Sequence, residues 1–352
     1  MEILPNIYSQ MRANFDGLLK RINRTNTDKL LDWLDKHHFY AVPASIRFHN
    51  AFKHGLLKHS LEVCNEGLAI YHEYSVKQPD RVKDFSKESV AVCCLLHDIC
   101  KWNNYYISPK DATIKCNYKA KNQGHGLKSV RILEEIGYPL SDQEKLAIQW
   151  HMGKDHEPSY KDDPAGFNKS LNDELSRLIR RADHDASKMK ERFEDLIRSL
   201  NLTNGDRLIH YLDESSFYQT CCGSHHKYPG GLVAHSLGTY RHIMEICTPA
   251  EQHDAAIIAL LHDIAMQDRS HYYSGHGMRS KMILERRLQM NLSDDVLNMI
   301  RFHKNSKRLR PYQEQLLLTQ TRQIPLHAKL VESDHFDAYH DLTDVLKHYS
   351  EW

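Results

Sequence analysis

No stretch of this chain stays apolar for the roughly 20 residues that a helix needs to cross a bilayer, and the opening "MEILPNIYSQMRANF" lacks the apolar centre of a secretory signal. Both absences predict a cytoplasmic protein with no membrane partner. Excess charge is missing as well. The 47 Lys and Arg are nearly balanced by 46 Asp and Glu, a formal net charge of +1. Such a chain has no overall field to attract a long nucleic acid or an anionic surface. The eight cysteines show no CxxC spacing, so no disulfide and no zinc-thiolate site is assigned to them, and free thiols are the reading for a reducing compartment. A nucleophile-elbow serine motif is absent, and strand-like alternation is rare.

Histidine, by contrast, is abundant at 25 residues, and it is both the usual proton shuttle and the commonest side-chain metal ligand. Two of the histidines stand beside an aspartate behind an apolar run, in "LLHDICK" (95–101) and "LLHDIA" (260–265). The pairs belong to a longer repeat of matched islands. "HGLLKHSLEV" (54–63) faces "GGLVAHSLGT" (230–239), "GHGLKS" (124–129) faces "GHGMRS" (275–280), "IQWHMG" (148–153) faces "IRFHKN" (300–305), and "RADHDA" (181–186) faces "ESDHFDA" (332–338). Duplication is the simplest account. The islands keep their order while one loop does not keep its length: 27 positions run from Asp98 to His125, but 13 from Asp263 to His276.

Apolar residues spaced by three and four, with Ser141 and Ser293 placed as N-caps, predict an all-α fold. With 352 residues and 41% hydrophobic content, two domains are expected: a helical lead-in over 1–26, domain 1 over 27–200 and a shorter domain 2 over 205–352, joined at "NLTNG".

The first repeat offers His59, His97, Asp98, His125, His151 and Asp183. Imidazole nitrogens with carboxylate oxygens suit divalent Mn, Fe, Co, Ni or Zn better than Mg or Ca. Six ligands exceed the need of one tetrahedral ion, and Asp98, between the others in sequence, is the natural bridge between two. Two such ions can clamp a phosphoryl oxygen and make hydroxide from water. The ordered pattern H…HD…H…H…D on a helical background resembles the HD-domain superfamily of metal-dependent phosphohydrolases, here in tandem. That resemblance implies one metal on His59, His97, Asp98 and Asp183 and a second on Asp98, His125 and His151. In the second repeat it implies His235, His262, Asp263 and Asp334, with His276 and His303.

Beside these ligands, Lys101 lies four residues after His97, on the same face if the helix continues; the resemblance marks such a lysine as a phosphate-binding group. The aligned residue in repeat 2 is Met266. Lys128 and Arg279 keep a cation three residues after His125 and His276. The long loop over 101–123, with Tyr105, Tyr106, Lys115, Tyr118, Lys119 and Lys121, has the composition to stack a base and pair a phosphate. Repeat 1 therefore reads as the better-equipped catalytic site. His49, His54, His184 and His225 have only nearness to a motif in their favour and read as ordinary core or surface histidines. Lys304, Lys307, Arg308 and Arg310 read as a solvated face. The function expected is metal-dependent hydrolysis of a phosphate ester in a nucleotide, dinucleotide or short oligonucleotide. Asp98, Lys101, Lys128 and Arg279 would serve at the reacting phosphate. A di-iron oxygenase on the same ligand set and a non-catalytic nucleotide-sensing module are the alternatives.

Overall fold

The structure, a computed structural model, describes residues 3–46, 49–121, 125–222, 225–266, 275–304 and 311–351. The chain divides into two compact units, Met1–Lys188 with Leu342–Trp352, and Met189–Asp341. The first unit runs α1 (Pro5–Ile22), α2 (Thr27–Lys36), α3 (Gly55–Lys77), α4 (Lys87–Leu96), α5 (Tyr118–Lys121), α6 (Gly126–Ile136), α7 (Asp142–Gln149), α8 (Pro164–Asn172) and α9 (Glu174–Ser187). The second runs α10 (Met189–Ser199), α11 (Gly205–Glu214), α12 (Gly231–Ile246), α13 (Gln252–Leu261), α14 (His276–Met282), α15 (Asp294–Phe302), α16 (Tyr312–Arg322) and α17 (Pro325–Tyr339). A closing helix, α18 (Val345–Glu351), belongs to the first unit, where the Leu346 amide donates to Asn14 Oδ1 at 2.8 Å.

The fold is all-α. Among the described residues the only sheet is a small antiparallel hairpin, β1 (Tyr105–Ile107) on β2 (Ile114–Cys116), in the longer loop of the first unit. No described helix is long and apolar enough to cross a membrane. α10, which the sequence reading places at the end of domain 1, lies in the second unit. Its apolar residues Phe193 and Ile197 are covered by that unit's core.

Each unit is organised around one helix that is apolar on every side, and such a helix is stable only in the middle of a bundle. Residues Val90 to Leu96 of α4 and Ala255 to Leu261 of α13 are all buried. Around α4 pack α3, α7 and α9, and around α13 pack α12, α15 and α17. Close approach is written into the matched islands as glycine. A Cβ on Gly55 or Gly231, at the first turns of α3 and α12, would lie 1.9 Å from the carbonyl oxygen of Asn50 or His226 respectively. The last serine of the "GHG" islands ties the turn after the HD pair to the next helix: Ser129 Oγ accepts from the Cys100 amide and Ser280 Oγ from the Ala265 amide, both at 3.3 Å.

Ser141 caps α7 in a capping box with Glu144. The Glu144 carboxylate, 1% exposed, also accepts from both terminal nitrogens of Arg24 at 2.8 and 2.5 Å. Burial opposes ionisation, but Arg24 and the cap hold this carboxyl below its usual range. A depressed folded value stabilises above the unfolded value and is lost as pH falls through the folded one. Glu144→Ala is expected to cost about 3 kcal/mol at neutral pH by stranding Arg24 and the cap. The cost should shrink as pH falls below the unfolded carboxyl's value of about 4.3 and through the lower folded one. Urea midpoints of both proteins across pH 7 to 2 check this; a pH-independent difference would contradict it.

Candidate metal centres

Helix ends set the tautomers of the histidines. The last carbonyls of a helix lack intrahelical partners, and a histidine just past the end can donate to one of them. His97 Nδ1 bonds the Cys94 carbonyl at 2.8 Å and His151 Nδ1 the Ile148 carbonyl at 2.7 Å. In the second unit His262 Nδ1 bonds the Ala259 carbonyl at 2.8 Å and His303 Nδ1 the Ile300 carbonyl at 2.7 Å. An Nδ1–H donated to a carbonyl leaves the Nε2 lone pair free for a metal. All four Nε2 atoms have a carboxylate oxygen close by.

In the first unit, Asp98 Oδ2 lies 3.3 Å from His97 Nε2 and 3.6 Å from His59 Nε2, while Asp98 Oδ1 lies 3.6 Å from His151 Nε2. Asp183 Oδ1 closes the first set at 3.2 Å from His59 Nε2 and 3.8 Å from His97 Nε2. His125 joins Asp98 and Cys100: its ligand atom, that of Asp98 and the Cys100 sulfur all lie within 4.8 Å of one another. The start of α6 can lie against the end of α7 because Gly126 carries no side chain, a Cβ there being 1.9 Å from the Gln149 carbonyl oxygen. Glu157 caps the start of α6, accepting from the Gly126 and Leu127 amides at 2.9 and 3.1 Å.

The second unit repeats the plan and brings all six expected residues together. Asp263 Oδ1 faces His303 at 3.2 Å and His276 at 3.4 Å, whose own Nε2 atoms are 3.0 Å apart. Asp263 Oδ2 faces His262 at 3.8 Å and His235 at 3.9 Å, and Asp334 Oδ1 lies 3.1 Å from His235 Nε2. Each HD aspartate therefore directs one oxygen to each of two imidazole sets.

The donor set fits divalent metal. Among the described residues, Asp98 Oδ2 meets the Lys101 ammonium, and neither oxygen of Asp263 or Asp334 accepts a well-formed hydrogen bond, although Asp98 and Asp263 are 1% exposed and Asp334 fully buried. Buried carboxylates of this kind require cations. Burial opposes ionisation of Asp98, but the Lys101 ammonium and the surrounding imidazoles outweigh it and hold the carboxyl well below its usual range. Asp263 is depressed likewise, by His262, His303 and His276. Burial pushes His262 and His276 down to about 4, so at neutral pH both are in the uncharged form that binds metal.

Lys101 differs from expectation in its setting. α4 stops at Leu96 because His97 turns back onto its carbonyls, and a 3-10 turn over Ile99–Asn103 follows. In a 3-10 turn residues three apart eclipse, so Lys101 pairs with Asp98, Nζ to Oδ2 at 2.5 Å, instead of following His97 along a helix. Lys128 binds loop oxygens, donating to Asn103 Oδ1 (2.9 Å), Asn104 Oδ1 (3.3 Å) and the Ala120 carbonyl (3.3 Å). These three acceptors use its three protons and fasten the long loop to α6. Arg279 lies one turn after His276 in α14. The loop's Tyr105 is buried, while Tyr106 and Tyr118 are exposed.

Several residues at the sites carried no motif. Lys304, read as a solvated charge, has its Nζ 3.9 Å from Asp334 Oδ2 and gives the second unit a cation that Met266 cannot supply; Lys307, Arg308 and Arg310 lie outside the described residues. His49 and His225, read as ordinary histidines, lie against His59 and His235 with ring centroids 4.7 and 4.5 Å apart, the first pair tilted and the second edge-on. Cys100 and Cys222 stand among ligand atoms, but burial pushes the Cys100 thiol up to about 12 and Cys222 well above its usual value, so they stay protonated. The eight cysteines are all free. A signal for His49 and His225 was available in their shared ten-residue spacing to the first ligand histidine.

A family model for the HD domain matches residues 56–187 and 232–340. No curated protein and no solved structure matches the chain. Protein purified without chelator is expected to carry about two transition-metal ions per unit. Asp98→Ala should remove those of the first unit and Asp263→Ala those of the second. Plasma mass spectrometry on the three proteins checks this, and losses confined to one variant would leave one unit without metal.

Proposed function

This chain belongs to the HD-domain family, and from that premise we propose that it hydrolyses a phosphate ester of a nucleotide, dinucleotide or short oligonucleotide. The two HD repeats, expected over 27–200 and 205–352, are taken as one in each compact unit, with α10 going to the second and α18 to the first. The observation that carries the reading is the placement of Asp98 and Asp263, each buried with one oxygen turned to each of two imidazole sets. Such a carboxylate suits a bridge between two ions. Divalent transition-metal ions, if held there, would polarise a phosphoryl oxygen and lower the pKa of water.

The chain's own residues supply the rest. His59, His97 and Asp183 on one side of Asp98, and His125 and His151 on the other, hold the centre. Lys101 stays charged despite its burial because Asp98 and Asp183 oppose the effect of desolvation. Its ammonium, on a short turn beside the centre, is placed to neutralise charge that develops on a phosphoryl oxygen. Lys304 occupies the corresponding role near Asp334. The exposed rings of Tyr106 and Tyr118 offer stacking faces for a base in the loop that follows Lys101.

Phosphatase and phosphodiesterase assays over a nucleotide panel, with Mn, Co, Ni or Fe supplied, test the reading. Phosphate release should disappear in the double variant His97→Ala/His262→Ala. In Lys101→Ala on the His262→Ala background, kcat should fall about 10²–10³-fold, with metal content unchanged from that background. A silent panel would overturn hydrolysis. Oxygen uptake in its place would indicate the di-iron alternative, and tight binding of an intact nucleotide a sensing module.

A further inference from the structure

His59 and His235 cannot use the helix-end device that sets the other tautomers. Both sit in the second turn of long helices, α3 and α12, where the preceding carbonyls are engaged in the helix. The two units treat this histidine differently. In the second, Asp337 Oδ2 lies 2.7 Å from His235 Nδ1, on the side of the ring opposite the metal-facing Nε2. The same oxygen is 2.8 Å from His226 Nε2, and His226 is held in turn by the Tyr228 hydroxyl, 2.6 Å from its Nδ1, and by Asp341 at its backbone amide. His225 Nε2 also approaches His235 Nδ1, at 3.3 Å, but the carboxylate is nearer.

Asp337 sits one turn after Asp334 on α17, so a single helix contributes a ligand and the carboxylate behind another ligand. Space for it depends on Gly238, one turn after His235: a Cβ there would lie 1.6 Å from Asp337 Oδ1. The first unit reverses these positions. Glu62 stands one turn after His59 where Gly238 follows His235, and Ala186 stands one turn after Asp183 where Asp337 follows Asp334. Glu62 is taken up by Asn50, at 2.6 Å, and by Lys58. His59 Nδ1, buried, has no hydrogen-bond partner among the described residues.

We propose that Asp337 is a positioning carboxylate for His235, and that it makes the second unit the tighter of the two metal centres. The inference rests on His235 being a metal ligand, as the proposed function holds. A carboxylate on the outer nitrogen fixes the ring and the tautomer and strengthens the imidazole as a donor; loss of such a partner typically weakens metal affinity about 10–100-fold. The unit with the longer loop and Lys101 would then be the one that holds metal less firmly.

The test is a Co²⁺ titration of the full chain, followed by its visible absorption. The Asp98→Ala background isolates the second centre, and the Asp263→Ala background isolates the first. The second centre should bind more tightly than the first. Asp337→Ala should weaken it about 10–100-fold, with the first centre unmoved, and Asp337→Asn should lie between. Because Asp337→Ala strands two buried histidines and can fail to fold, Gly238→Ala provides an independent variant. It displaces the carboxylate without removing it and should weaken Co²⁺ binding in the same sense, while the melting temperature of the metal-free protein shows that the fold persists. Unchanged affinity in a folded Asp337→Ala or Gly238→Ala, or a first centre as tight as the second, would overturn the inference while leaving the metal-site reading intact. Absence of Co²⁺ binding by either centre would overturn both.

Discussion

An ionised carboxylate buried away from water must meet positive charge, and Asp98 and Asp263 impose that requirement at the centre of each unit. Each stands just past the end of a helix that is apolar on every side. Nothing in those helices can solvate it, so the response comes from elsewhere in the bundle. Histidines arrive from the second turns of α3 or α12, from the starts of α6 or α14 and from the ends of α7 or α15, and a second aspartate arrives from α9 or α17. The glycines of the matched islands follow from the same requirement, because helices that share a few ångströms of space cannot carry a Cβ at the crossing.

Much of the chemistry of these centres is backbone chemistry. Four histidines spend their Nδ1–H on helix-end carbonyls that would otherwise lack partners, so ending the helix and aiming the metal-facing nitrogen are one event. The arrangement explains why the HD pair follows directly on an apolar run. Moving the histidine one residue back would place it inside the helix, where the carbonyls are already bonded.

The units differ in what surrounds this shared frame. The first has Lys101 against Asp98 and a hairpin loop fastened by Lys128; the second has Lys304 near Asp334 and Asp337 behind His235. Sequence comparison favoured the first as the better equipped, because a lysine after the HD pair and a long aromatic loop are visible in one dimension. The contributions of the second come from residues after the final ligands of their islands, and their partners lie 30 residues away for Lys304 and 102 for Asp337.

Residue order alone determined the helical class and the likeness to the HD domain, and it named the duplicated candidate ligands. Helical periodicity is a local property, and twelve polar residues recurring in order at the ends of apolar runs have no simpler use than a shared centre. Tertiary structure decided which oxygen of each aspartate faces which imidazoles, that Lys101 turns onto Asp98, that Lys128 serves its loop, and that Lys304 and Asp337 belong to the sites. Those outcomes depend on where a helix ends and on which side chains from distant helices share a buried space. A linear pattern carries neither quantity, because packing, and not spacing along the chain, fixes distances of 3 Å to 4 Å between groups.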